Sequence, residues 1–143
     1  MYDIPVKDLM KQESALTLPP ETTVSAAAEL MMQRSIGAVM VVEGGHLVGI
    51  FTERDALFRV IARGLDATAT PLSAVMTANP LTLGPKASYG YALVIMQENG
   101  FRHMPIVENG KPIGMISARS AMDPDLEEFV SESNRREYIR QHH

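Results

Sequence analysis

Gly49-Ile50-Phe51-Thr52-Glu53-Arg54-Asp55 and Gly114-Met115-Ile116-Ser117-Ala118-Arg119-Ser120 are two copies of one pattern. Each runs glycine, two apolar residues, a hydroxyl, a variable residue and arginine. Extending the match outward at the same offset lays residues 16–56 on 81–121. Identical pairs include Leu16/Leu81, Thr17/Thr82, Leu18/Leu83, Pro20/Pro85, Ala27/Ala92 and Met31/Met96. They continue with Val42/Val107, Glu43/Glu108, Gly45/Gly110, Gly49/Gly114, Arg54/Arg119 and Ala56/Ala121. Twelve identities in 41 positions exceed the roughly three that ordinary residue frequencies give unrelated stretches, so the chain is an internal duplication.

Each copy reads alike. A short extended segment (Leu16–Leu18; Leu81–Leu83) meets a proline turn, and a helix follows with Thr22, Thr23 or Ser88 as its N-cap. Val24, Ala27, Ala28 and Met31, then Tyr89, Ala92, Leu93 and Met96, fall at helical spacing. Asn99-Gly100 stops the second helix. Apolar runs 38–42 and 46–51 flank Glu43-Gly44-Gly45, and runs 104–107 and 111–116 flank Glu108-Asn109-Gly110, which predicts two hairpins. A further helix begins after Thr52, with Ala56, Leu57, Val60 and Ile61 on one face and Gly64 at its end. The organisation is a first repeat over 1–64, a linker over 65–70, a second repeat over 71–122 and a helical tail over 123–143. Thr70-Pro71 suits a helix start. In the tail, Leu126, Phe129, Val130 and Ile139 form a thin apolar stripe, suited to packing on the domain, on a second subunit or on a partner. His142-His143 carry no assigned chemistry.

Composition narrows the function. A chain of 143 residues with 45% hydrophobic content buries about two-thirds of its unfolded surface and needs no metal or disulfide to fold. The absence of cysteine excludes a disulfide scaffold, a thiol nucleophile and a Cys-based zinc site. A net charge of −4 argues against a dedicated nucleic-acid binder. Met1-Tyr2-Asp3-Ile4-Pro5 does not read as a secretory signal, and no window reaches the apolar length of a membrane span, so a cytoplasmic protein is expected. No P-loop, Gly-x-Ser-x-Gly or His-Glu-x-x-His motif occurs, which argues against catalysis. Of the ten methionines, Met31, Met32, Met40, Met96, Met104 and Met115 fall on predicted core faces.

Two units of this length, each closing on Gly-x-x-Thr/Ser, resemble the cystathionine β-synthase (CBS) domain pair. The match is carried by Gly49–Asp55, Gly114–Ser120, the strand entry Gly100-Phe101-Arg102-His103-Met104-Pro105-Ile106-Val107 and Met76-Thr77-Ala78-Asn79-Pro80, and spans about residues 4–122. It implies an α+β fold of two βαββα repeats packed about a pseudo-twofold axis. It further implies an adenine nucleotide (AMP, ADP or ATP) or S-adenosylmethionine bound as a regulatory ligand between the copies, a homodimer and a downstream effector protein. No membrane and no nucleic-acid partner is expected, and no metal.

Thr52 and Asp55 have two readings. Thr-x-x-Asp at a helix start is a capping box. In the family's use, the Thr52 hydroxyl faces a phosphate or ribose oxygen and the Asp55 carboxylate accepts the ribose hydroxyls. Arg102 and His103 replace Gly37 and Ala38 of the first copy and would lie near that cleft, the arginine fork suiting phosphate. Gly49, Thr82, Met104 and Pro105 complete this site, and Ile36, Val39, Phe101 and Met104 are apolar residues suited to stacking a base. A second, weaker site would comprise Ser117, Arg119, Ser120, Thr17, Ala38 and Val39, where Ser120 stands in place of the acid. A module that has lost its ligand and serves only as a dimerisation scaffold is the alternative.

Overall fold

The computed structural model describes residues 3–10 and 16–118. The expected tail helix, Arg119 and Ser120 lie outside these residues. The chain runs through β1 (Thr17–Leu18), α1 (Val24–Arg34), β2 (Ala38–Glu43), β3 (His46–Thr52) and α2, an α-turn Glu53–Asp55 continuing as a π-helical segment Ala56–Ile61. It continues through α3 (Leu72–Val75), β4 (Thr77–Ala78), α4 (Tyr89–Asn99), β5 (His103–Glu108) and β6 (Lys111–Ser117). Strands β1-β2-β3-β4 form one sheet, with β1 parallel to β2 and the other pairs antiparallel; β5 and β6 form a second. Leu83 bridges Ile106 in parallel, so the second copy repeats the β1–β2 arrangement in miniature.

The duplication is visible in local chemistry. Thr23 accepts the Ala26 amide at 3.2 Å to cap α1, and Ser88 accepts the Tyr91 amide at 3.1 Å to cap α4. Each helix stops on a left-handed residue, Ser35 in the first and Gly100 in the second. Gly44-Gly45 and Asn109-Gly110 hold the two positive φ values that a tight hairpin turn needs. Both hairpins shift register at the same place, between Val41 and Val42 and between Ile106 and Val107.

The strands are buried on both faces, which explains their nearly unbroken apolar runs. Val39, Val41 and Phe51 pack with Val24, Ala27 and Met31 of α1. Met104, Ile106 and Ile116 pack with Tyr89, Ala92 and Met96 of α4. Ala38, Met40 and Ile50 face the other way and meet Met115, forming a shared core between the copies.

Each repeat is completed by the segment that precedes the other. Leu72 and Val75 sit in the first core, and Val6 sits in the second. The bonds match in pairs: Leu72 N–H to Thr22 O and Val6 N–H to Ala87 O, both 2.8 Å, with Val24 N–H to Thr70 O and Tyr89 N–H to Ile4 O at 2.9 and 2.8 Å. Gly49 and Gly114 receive Met76 and Met10, respectively; a Cβ would fall 2.9 Å from Met76 Cγ and 3.2 Å from Met10 Cγ.

Three sequence expectations are corrected. Met32 is 73% exposed, whereas the other five methionines expected in the core are buried. Ala28 is exposed because the inward face of α1 is only as wide as Val24, Ala27 and Met31. After Asp55 the helix is π-wound, with Ala62 N–H bonded to Leu57 O and Leu65 N–H to Val60 O, so Leu57 and Ile61 turn outward while Val60 stays buried.

Candidate functional site

The start of α2 is built as a closed reciprocal cap. Thr52 ends β3 opposite Ala38, and its amide donates to Asp55 Oδ2 at 3.0 Å. Its hydroxyl donates to the same oxygen at 3.1 Å and accepts the Asp55 amide at 3.2 Å. The other Asp55 oxygen lies 3.5 Å from Arg59 Nε, and the residue is only 8% exposed. The capping box read from the sequence is therefore present. A ligand hydroxyl at Asp55 would compete with the Thr52 donors or with Arg59. The Arg59 Nη1 group also donates to Met76 O at 2.9 Å, tying α2 to the segment that enters the second repeat.

Beside this cap is a pocket of about 430 Å³, within the range of small-molecule sites. One wall is the flank of α1 and its exit, with exposed Ala28 and Met32, buried Met31, and Ser35 and Ile36. The other is Phe51 with Glu53 and Ala56 of α2, and Gly37 lies between. Glu53 and Ala56 are one turn apart and so share a helix face, rotated by one residue from Thr52 and Asp55.

The pocket reaches the seam between the copies at Gly37. The Glu53 amide donates to Gly37 O at 2.9 Å, and a Cβ on Gly37 would lie 3.2 Å from Glu53 Oε1 and 3.4 Å from His103 Cε1. An acid from the first repeat and an imidazole from the second thus approach each other over a residue without a side chain. Burial holds the His103 pKa below the usual imidazole value; the Glu53 charge opposes that shift and the Arg102 charge adds to it. Arg54 spans the same seam, donating to Gly100 O at 3.3 Å with its guanidinium 5.4 Å from the Phe58 ring centre.

The residues singled out from the sequence are spread over these environments. Thr52 and Asp55 pair with each other, and His103 lies at the pocket's seam end with exposed Arg102 beside it in sequence. Gly49 is buried under Met76, Met104 and Pro105 are buried, and Thr82 is exposed. Of the second set, Ser117 is half-buried opposite His103, Ala38 belongs to the shared core, Val39 is buried in the first core and Thr17 is exposed. Of the stacking candidates only Ile36 lines the pocket. As pocket residues, sequence reasoning passed over Glu53, Ser35, Ala28, Met31, Met32, Phe51 and Ala56. Glu53 offered one signal: it is an acid inside the Thr-x-x-Asp motif where the second copy has Ala118.

Among the described residues, no cluster of three or more His, Cys, Asp or Glu is placed to hold a metal ion, and no helix is long and apolar enough to cross a membrane. The family description "CBS domain" matches residues 6–62 and 72–124. The CBS domain-containing protein YhcV of Bacillus subtilis is 38% identical over 112 residues, covering 78% of this chain and 79% of that protein. CBSCBSPB1 of Arabidopsis thaliana is 35% identical over 108 residues; the match covers 75% of this chain but only 20% of that longer protein. Among solved structures, a conserved protein from Pyrococcus horikoshii superposes with a TM-score of 0.78 at 32% identity, covering 85% of this chain and 92% of that one. The CBS domain protein PAE2072 from Pyrobaculum aerophilum, complexed with AMP, superposes with a TM-score of 0.74 at 24% identity, covering 82% and 89%. With two family matches laid over the two halves of its duplication and the same fold in its neighbours, this chain belongs to the CBS-domain family as a tandem pair.

Proposed function

We propose that the chain is a regulatory module, not an enzyme, that binds an adenosine-containing ligand at the seam between its repeats and signals the bound state to a partner protein. The observation that carries this reading is the pocket of about 430 Å³ between α1 and α2 that ends where Glu53 and His103 meet over Gly37. An open slot in which methionine, isoleucine, phenylalanine and alanine side chains meet a few convergent polar groups suits a flat base joined to a polar sugar. The AMP complex of the related Pyrobaculum protein supports the ligand class by analogy of fold. A ligand seated there touches α1 and α2 of the first repeat and faces the second, so it can favour one packing of the copies over another. Only such a difference in affinity between packings makes binding a signal.

The reading includes a homodimer. Leu57, Phe58 and Ile61 are 50%, 53% and 69% exposed on α2, and clustered exposed apolar groups of this kind suit an interface.

A thermal-shift panel of AMP, ADP, ATP, S-adenosylmethionine and GTP tests it. Ligand at a hundred times its Kd stabilises by about 2.7 kcal/mol, which raises Tm by several degrees in a chain this size. Ala28→Phe fills the pocket from an exposed helix position, and is expected to abolish the shift while leaving the unliganded Tm near its original value. A flat panel with the wild-type chain rejects the sensor and favours the scaffold; under either reading Phe58→Glu is expected to abolish self-association.

A further inference from the structure

The pocket is chemically one-sided. Among the described residues, Glu53 is the one charged residue lining it, Ser35 adds a hydroxyl, and no lysine or arginine takes part. The backbone of Glu53 is placed by the fold, since its amide is held on Gly37 O, and from there its Oε1 borders the slot that the missing Gly37 side chain leaves open. His103 closes the far side of that slot. Burial disfavours its protonation, and a neutral imidazole offers a phosphate no charge. Arg102, the cation expected to meet a phosphate, is exposed and does not line the pocket.

Building on the adenosine reading above, we propose that Glu53 is the specificity-determining residue of this pocket, selecting an adenosine compound whose 5′ substituent is cationic or uncharged over one that carries phosphates. The cause is Coulombic. A carboxylate a few ångströms from a phosphate repels it, and from a sulfonium attracts it. Because Glu53 is solvent-exposed, both effects are screened to about fivefold in affinity. Adenosine itself feels neither effect.

The test is calorimetric titration of the full chain with S-adenosylmethionine, adenosine, AMP and ATP, for the wild type, Glu53→Gln and Glu53→Lys. The wild type is expected to bind S-adenosylmethionine most tightly, then adenosine, then AMP, then ATP. Glu53→Gln should weaken S-adenosylmethionine about fivefold, tighten AMP about fivefold and leave adenosine within about twofold; Glu53→Lys should carry the change further in the same direction. Raising the salt concentration should compress all these differences. Tighter wild-type binding of AMP or ATP than of adenosine overturns the proposal, as does a ratio of S-adenosylmethionine to AMP affinity unmoved by either variant. In those cases the adenosine site itself survives. If none of the four compounds binds, the adenosine reading and this inference fall together.

Discussion

Gly37 and Arg102 occupy the same place in the two repeats. Each carbonyl accepts the amide of the residue just past the hairpin, Glu53 in the first repeat and Ala118 in the second, both at 2.9 Å. Identical backbone geometry therefore carries opposite chemistry. The first repeat offers an acid beside a bare glycine; the second offers a cation beside an alanine. The duplication keeps main-chain bonds, caps and Met-on-Gly contacts, all needed for folding. It lets side chains at the seam diverge, and in the first repeat the bare Gly37 leaves a gap that the pocket includes.

The largest expected effect falls on the shared framework. Phe51 is fully buried and also lines the pocket, so Phe51→Ala should cost about 3–5 kcal/mol, read by urea unfolding. Next come the paired contacts. Gly49→Ala and Gly114→Ala each push a methyl into a methionine, and should cost about 1–3 kcal/mol apiece. The partner truncations Met76→Ala and Met10→Ala should each recover part of the loss in the double variant. Unequal costs would show that the twofold relation is weaker in energy than in geometry.

What the sequence made legible follows the same division. Both hairpins are legible in the repeat, because Gly44-Gly45 and Asn109-Gly110 tolerate the paired positive φ values of a tight turn, and both main helices are legible through Thr23, Ser88 and Gly100. It located Thr52 and Asp55 as a pair, and the cap they form is the local reading of that motif. Three things were hidden. The π winding after Asp55 has no signature in apolar spacing, so Leu57 and Ile61 were read as inward. Ser35 takes the left-handed conformation without being glycine. The pocket is made by residues from α1, β3 and α2 that come together only in three dimensions, and Glu53 was masked by the stronger signals on either side of it.

Smaller effects test the seam. Thr52→Ala removes the hydroxyl of the reciprocal cap and should cost about 1 kcal/mol. The pH response comes next. The His103 pKa is lower folded than unfolded, so stability is full above the unfolded value near 6.5. It declines as pH falls through that value toward the folded one, because the unfolded chain takes up the proton first. Urea unfolding between pH 7.5 and 5 should show a decline that is shallower in His103→Gln. The first repeat has Ala38 in the matching position and contributes no such slope, so equal declines in the two proteins would remove His103 as its source.

The smallest expected effect on stability has the sharpest meaning for the seam. Gly37 is not in the positive-φ region, so Gly37→Ala adds no backbone strain and slightly stiffens the unfolded chain in favour of folding. Against this, its methyl would stand 3.2 Å from Glu53 Oε1, the free end of a flexible side chain that can swing away. The two effects nearly cancel, and unfolding should move by no more than about 0.5 kcal/mol. The carboxylate, however, is displaced from the imidazole. Since Glu53 favours the protonated form of His103, moving it away lowers the pKa further. A proton NMR titration of the His103 ring should therefore shift to lower pH in Gly37→Ala, and Glu53→Gln should shift it the same way without any added methyl. An upward shift in both variants would mean that the acid and the imidazole do not face one another across Gly37.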